Sequence, residues 1–223
     1  MDLFNLNNTF ITILGYNLSF LEFLTTIFGI LNVYLVAKIK VSNYFWGILN
    51  VILSFFIFYQ IQMYSDMFLQ VYYLIINIYG WWAWLHPKKS EACDHNELRV
   101  STNSHMYNLV AFIISAICFV FLGLFLKNIH VILPQFFKLP SSSPFIDAFI
   151  TIVNIVAMYF MAKKKIEHWY LWFIADLTSS IFFYAQNVKF LALEYFIFLF
   201  FAFLGYFEWK KELSAEYSTK KSA

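Results

Sequence analysis

Charge is what this 223-residue chain has least of: Asp, Glu, Lys and Arg together make up 13% of it. A soluble globule of this length needs roughly twice that share to cover its surface, so a water-soluble domain is excluded. Six scattered glycines supply no phosphate-cradling loop. Neither HExxH nor GxSxG occurs, and His86, His95, His105, His130 and His168 all fall in loops or at span ends. A membrane enzyme needs a nucleophile–base pair or a metal cluster, so no catalytic residue, metal ligand or cofactor is expected. The two cysteines, Cys93 in the loop 86–106 and Cys118 in an apolar run, are placed too differently to form a disulfide. Cys93-x-His95 alone is a weak metal signature, and a solvated loop explains it. The first 17 residues lack the basic n-region of a signal peptide. Nor is there a basic groove with aromatic platforms, so nucleic acid is not a partner.

What the chain has in abundance is apolar length: 61% of its residues are hydrophobic and 23% aromatic. Seven segments suffice to cross a hydrocarbon core of about 30 Å. They lie near residues 18–37, 43–61, 66–85, 107–126, 144–162, 167–187 and 189–209. The expected fold is therefore an all-α integral membrane protein in contact with lipid. Residues 1–17 are expected along the interface, with Phe4, Leu6, Phe10, Ile11 and Leu14 as a ragged apolar face. Seven spans leave only Lys127, Lys138 and Lys189 on the N-terminal side; the other twelve basic residues fall opposite. By the positive-inside rule the N-terminus is outside and the C-terminal tail 210–223 cytoplasmic.

The chain also repeats. At an offset of 125, Glu22 meets Asp147, Thr26 meets Thr151, Lys38 meets Lys163, Gly80 meets Gly205 and Trp84 meets Trp209. A one-residue insertion would further align Asn50 with Asp176, Ser54 with Ser180 and Gln60 with Gln186. The expected plan is 3+1+3: repeat 1 over 18–85, a linker span at 107–126, and repeat 2 over 144–209. Four crossings separate equivalent spans, so the copies are parallel, a transporter architecture with its site between repeats near the midplane.

Polar groups gather at that depth: Asn50, Asn77, Asn154 and Asp176 sit mid-span, and Gln70 shares a face with Asn77. Glu194 lies about 7.5 Å inside span seven. Amides often serve only as glue between membrane helices, at about 0.6 kcal/mol per bond. Asp176 is harder to explain so, because a central aspartate costs about 2.5–3.5 kcal/mol to insert and no basic residue matches its depth. Trp169, Trp172 and Asp176 share one helical face, and aromatic faces beside a buried anion suit a flat cation. Trp81, Trp82, Trp84 and Trp209, at span ends, read as an interfacial belt.

The segment VSNYFWGILNV, the Gln70-x6-Asn77 run into GWWAW, the WxxWxxxD of Trp169, Trp172 and Asp176, and the LEY of Leu193–Tyr195 together resemble the PnuC family of bacterial vitamin transporters. The likeness covers essentially the whole chain and matches full-length SWEET-like architecture. It implies a homotrimer in the bacterial inner membrane, taking up a vitamin by facilitated diffusion and relying on a cytoplasmic kinase to trap it. It also implies substrate contacts by Trp169, Trp172 and Asp176, with Asn50, Gln70, Asn77, Asn154 and Glu194 around them. Asp176 and the GYFEW ending (Gly205–Trp209) look more like the thiamine branch, PnuT, so thiamine is expected, with nicotinamide riboside as the alternative. A retinal protein is excluded, since Lys189 at an outer span end is the only lysine in span seven before Lys210. A non-transporting receptor or scaffold stays possible and would show no solute flux. With few titratable groups to form a relay, passive alternating access is expected.

Overall fold

The computed structural model describes residues 4–13, 15–61, 64–93, 97–135 and 143–222. Seven helices run in chain order: α1 (Phe20–Ala37), α2 (Asn43–Gln60), α3 (Tyr64–Leu85), α4 (His105–Ile132), α5 (Pro144–Ala162), α6 (His168–Ala185) and α7 (Lys189–Ser222). Among the described residues α1, α4, α5 and α7 are long and apolar enough to cross a membrane on that ground alone. The other three, α2, α3 and α6, hold Asn50, Gln70, Asn77 and Asp176, which dilute their hydropathy.

The N-terminal segment departs from expectation. It forms an antiparallel hairpin, β1 (Thr9–Ile13) and β2 (Tyr16–Ser19), so the chain is not purely α, and Phe4, Phe10 and Ile11 stay exposed. Gly15 takes φ +79° at its turn, a conformation glycine adopts without penalty. Ser19 then starts α1 with a capping box: its hydroxyl accepts from Glu22 N–H, and Glu22 accepts from Ser19 N–H. Tyr16 donates to the same carboxylate at 2.7 Å. Burial and this bond push the Tyr16 hydroxyl up to about 12. Gln60, at the end of α2, grips the segment by donating to Phe4 O and accepting from Leu6 N–H. Leu14 lies outside the described residues.

Two helices outrun their expected spans: α4 continues to Ile132, and α7 runs on through most of what was expected to be a tail. Short turns join α1 to α2, α5 to α6 and α6 to α7. In each the residue after the C-cap has positive φ: Ile39 at 57°, Lys164 at 54° and Asn187 at 61°. All three make the paired bonds of a Schellman motif, for example Ile39 N–H to Val36 O and Lys40 N–H to Leu35 O. A β-branched residue held at φ +57° carries strain of order 1–3 kcal/mol.

Helices α1, α2 and α3 pack in sequence, as do α5, α6 and α7. The sets meet where α1 touches α7 and where α3 touches α5; α4 packs on α5. The offset of 125 holds throughout, since α2 and α6 begin and end at that spacing. The one-residue insertion is therefore absent. Asn50 corresponds to Ala175, and Asp176 to Val51, because helix ends fix the register rather than matching polar letters.

The described parts of the connection from α3 to α4, residues 86–93 and 97–104, fold back across one end of the bundle. Leu98 N–H donates to Trp84 O, Ser101 N–H to Lys164 O, and Ile166 N–H to Ser101 O. Lys165 and Glu167 side chains bind Ser101 Oγ and Asn103 N–H. Cys93 lies within this loop, its N–H donating to Glu97 O, while His95 lies outside the described residues.

Candidate functional site

Aromatic rings close the bundle at the end carrying this loop. Trp84 and Trp209 were expected in an interfacial belt, yet both are 0% exposed. Their indole N–H groups donate inward, Trp84 to Met161 O (3.2 Å) and Trp209 to Val36 O (2.8 Å), which satisfies carbonyls at the ends of α5 and α1. The two bonds are counterparts at the 125 offset. Trp84 meets the edge of Tyr44 at 5.2 Å, and Trp209 meets its counterpart Trp169 at 5.8 Å. A Cβ at Gly80 would run into the Tyr44 ring, and one at Gly205 into Trp169, so both glycines are needed for close approach. Lys164, itself buried, lays its ammonium 4.4 Å from the Trp84 ring centroid and 3.8 Å from Glu97. Beside it Lys163 donates to the Tyr79 hydroxyl, which raises its pKa above the ordinary lysine range.

Trp169 thus belongs to a packed layer, together with His168, rather than to an open stacking face. Trp172, one turn deeper, is half-buried and touches the edges of Trp169 (5.4 Å) and His168 (5.0 Å). Asp176 is 8% exposed and has no hydrogen-bond or ion-pair partner among the described residues. One turn on, Ser179 is fully buried with an unpartnered hydroxyl. Glu194 accepts from Thr26 of α1. The next residue, Tyr195, lies within electrostatic range of Glu194, Asp176 and Asp66, and of Tyr73 in α3. Tyr195 thus links Asp176 of α6 and Glu194 of α7 to α3, while Glu194 itself reaches α1.

The first set supplies amides. Asn50 donates to Thr25 O at 2.7 Å, linking α2 to α1 as helix glue does. Gln70 points back along α3 to Asp66 O at 3.4 Å. Asn77 donates to Tyr73 O, leaving its Oδ1 buried without a donor. Asn154, half-buried in α5, makes no hydrogen bond among the described residues and contacts none of this group through one. Four groups escaped the sequence reading: Asn32, whose amide abuts Gly47 beside Asn77, and Asp66, Tyr73 and Ser179. A cavity of about 450 Å³ lies elsewhere, at the loop-86–106 end, between Ile39–Val41, Leu98–Val100 and Lys211. None of the candidate residues lines it.

Chemically, the second helix set contributes an aromatic ring and an uncompensated carboxylate, and the first set contributes amides. An aromatic face beside an anion suits a flat cation. Residues 19–211 match the family described as nicotinamide mononucleotide transporter. The nicotinamide riboside transporter PnuC of Escherichia coli K12 is 34% identical over 232 residues, 94% of this chain and 94% of that one. PnuC of Neisseria mucosa is 27% identical, with 86% of this chain and 73% of that one covered. The riboflavin/roseoflavin transporter RibM of Streptomyces davaonensis is 27% identical over 58% of this chain and 56% of its own. A crystal structure of the vitamin B3 transporter PnuC shares the fold, with TM-score 0.64 at 23% identity, covering 87% of this chain and 82% of that one. The expected thiamine branch finds no support among these relatives, two of which carry the nicotinamide riboside name, the alternative reading. An aspartate at position 176 and the GYFEW ending do not separate the branches, because thiazolium and pyridinium rings are both flat cations.

Proposed function

This chain belongs to the nicotinamide mononucleotide transporter family, and from that we propose that it takes up nicotinamide riboside. The observation that carries this reading is the 34% identity to the E. coli riboside transporter along nearly the whole of both chains. The site chemistry supports it. Trp172 offers an aromatic face to a pyridinium ring, Asp176 an unneutralised carboxylate to its charge, and Glu194 with the amides hydrogen bonds to ribose hydroxyls. Stacking a desolvated cation is worth about 2 kcal/mol, or roughly thirtyfold in affinity.

The mechanism we propose is facilitated diffusion through alternating access, the riboside being retained by phosphorylation inside. The matched Trp84 and Trp209 bonds, and the matched α1–α7 and α3–α5 contacts, support reading α1–α3 and α5–α7 as parallel repeats joined by α4. The basic residues support a multi-pass placement in the bacterial inner membrane with the C-terminus inside. A homotrimer with one pathway per protomer follows the family resemblance.

The test is titration of the detergent-purified protein with nicotinamide riboside and with thiamine, by tryptophan fluorescence and calorimetry, followed by uptake into ion-gradient-free liposomes. Saturable binding and equilibrating flux of the riboside alone are expected. Silence toward the riboside refutes the substrate; binding without flux refutes the transporter and leaves a receptor.

A further inference from the structure

The two sets of helices differ most at one level. At the 125 offset Gly47 of α2 corresponds to Trp172 of α6, Asn32 to Ala157, Asn50 to Ala175 and Asn77 to Ala202. In the second set these alanines are buried. Their small side chains suit a neighbouring indole. In the first set two of these amides, Asn32 and Asn77, abut the glycine. A Cβ at Gly47 would stand 2.8 Å from Asn77 Oδ1 and nearer still to Asn32 Nδ2, so both amides lie against the bare Cα.

Their bonding is incomplete in a complementary way. Asn77 is 1% exposed, its Nδ2 is bonded to Tyr73 O, and its Oδ1 accepts nothing. Asn32, half-buried, makes no hydrogen bond among the described residues. An acceptor and a donor therefore face the same notch, both unfilled. Buried amide oxygens are seldom left so, and the group that completes them must offer a donor and an acceptor side by side.

We propose that Asn32 and Asn77 form a notch over Gly47 that reads the carboxamide of the pyridinium substrate, with Asn32 a specificity-determining residue. The inference rests on the riboside reading above and adds which residues recognise the ring substituent. The carboxamide N–H donates to Asn77 Oδ1, and its carbonyl accepts from Asn32 Nδ2. A carboxylate in its place offers acceptors only and sets a negative oxygen against Asn77 Oδ1. Sites built around such bonds reject analogues that leave them unmade.

The experiment titrates the full-length detergent-purified protein calorimetrically with nicotinamide riboside and with nicotinic acid riboside. The wild type is expected to prefer the amide by at least about tenfold. Asn32→Ala should bring the two ligands within about threefold, chiefly by weakening the amide. Gly47→Ala, which crowds Asn32 without touching its chemistry, should do the same, and a melting temperature near wild type shows that each variant folds. Equal wild-type affinity for both ribosides, or an unchanged preference in the folded variants, overturns the notch and leaves the substrate reading standing. No wild-type binding of the amide overturns the substrate reading, and the notch with it.

Discussion

Trp84 and Trp209 cross edge to face with ring centroids 5.9 Å apart, and each donates its indole N–H across to the helix set from which it does not come. Substituting phenylalanine keeps most of the ring and removes the donor. Either Trp84→Phe or Trp209→Phe then removes the cross-set donor from Met161 O or Val36 O, which keeps its backbone bond from Lys164 N–H or Ile39 N–H. Each single change should destabilise by about 0.5–1.5 kcal/mol, read as a fall of a few degrees in a detergent thermal melt. The double variant should depart from additivity, because the two rings touch. An unaltered melt in both singles removes the bonds from the account of stability.

Gly205 and Gly29 separate two kinds of glycine. A Cβ at Gly205 would overlap the Trp169 ring, whereas one at Gly29 would meet Asn50 Nδ2 at 3.1 Å, a contact that needs only a slight shift. Gly205→Ala should therefore displace Trp169 and weaken riboside binding by at least about tenfold, as overpacking a dense site does. Gly29→Ala should bind within about threefold of wild type. Calorimetry on the two variants side by side decides it, and equal effects would contradict the packing described.

Trp172 and Asp176 should fail differently. Trp172→Ala removes the aromatic face and should weaken the riboside at least about tenfold with the fold retained. Asp176→Asn relieves a buried, unpartnered carboxylate. It should raise the melting temperature while lowering affinity for the cationic ring, a trade typical of binding sites. Lower stability together with unchanged affinity would show that Asp176 serves packing and not the ligand.

Tyr16 gives a pH dependence with a definite sign. Its hydroxyl is pushed up to about 12 in the folded chain, above the ordinary tyrosine value of 10.0. Its contribution to the hairpin is complete below the ordinary value and is lost as pH rises through the folded one. Limited proteolysis of residues 4–19 should therefore stay slow at pH 9 and accelerate between about 10 and 12. In Tyr16→Phe that step should vanish, leaving a flat and faster profile.

Much of this was legible in the sequence because apolar length is a blunt signal. All seven helices lie where the runs of Leu, Ile and Phe put them, and Asp176 was conspicuous because few anions occur there. The misreadings have physical causes. Trp84 and Trp209 sit at span ends, where a belt residue and a sealed one look alike; only the partner carbonyls distinguish them. The alternation of Thr9–Ile13 and Tyr16–Ser19 about Gly15 signals a hairpin, but it was outweighed by the apolar content of the segment. Aligning Asn50 with Asp176 followed letters instead of helix ends. Asn32 gave no signal, since one amide in an apolar helix means nothing until Gly47 and Asn77 are seen beside it.

The stitching of the loop 86–106 is one-sided. Ser101 brackets Lys164 and Ile166, while the counterpart turn, Ile39–Val41, has no such bridge among the described residues and borders the open cavity. The edge at Lys164 is closed by neutral backbone bonds, whereas the edge at Ile39 is crossed at the surface by the Lys38–Glu208 ion pair at 2.7 Å. Salt screens an exposed ion pair and leaves backbone bonds almost untouched. Ionic strength therefore acts chiefly on the edge between α1 and α7.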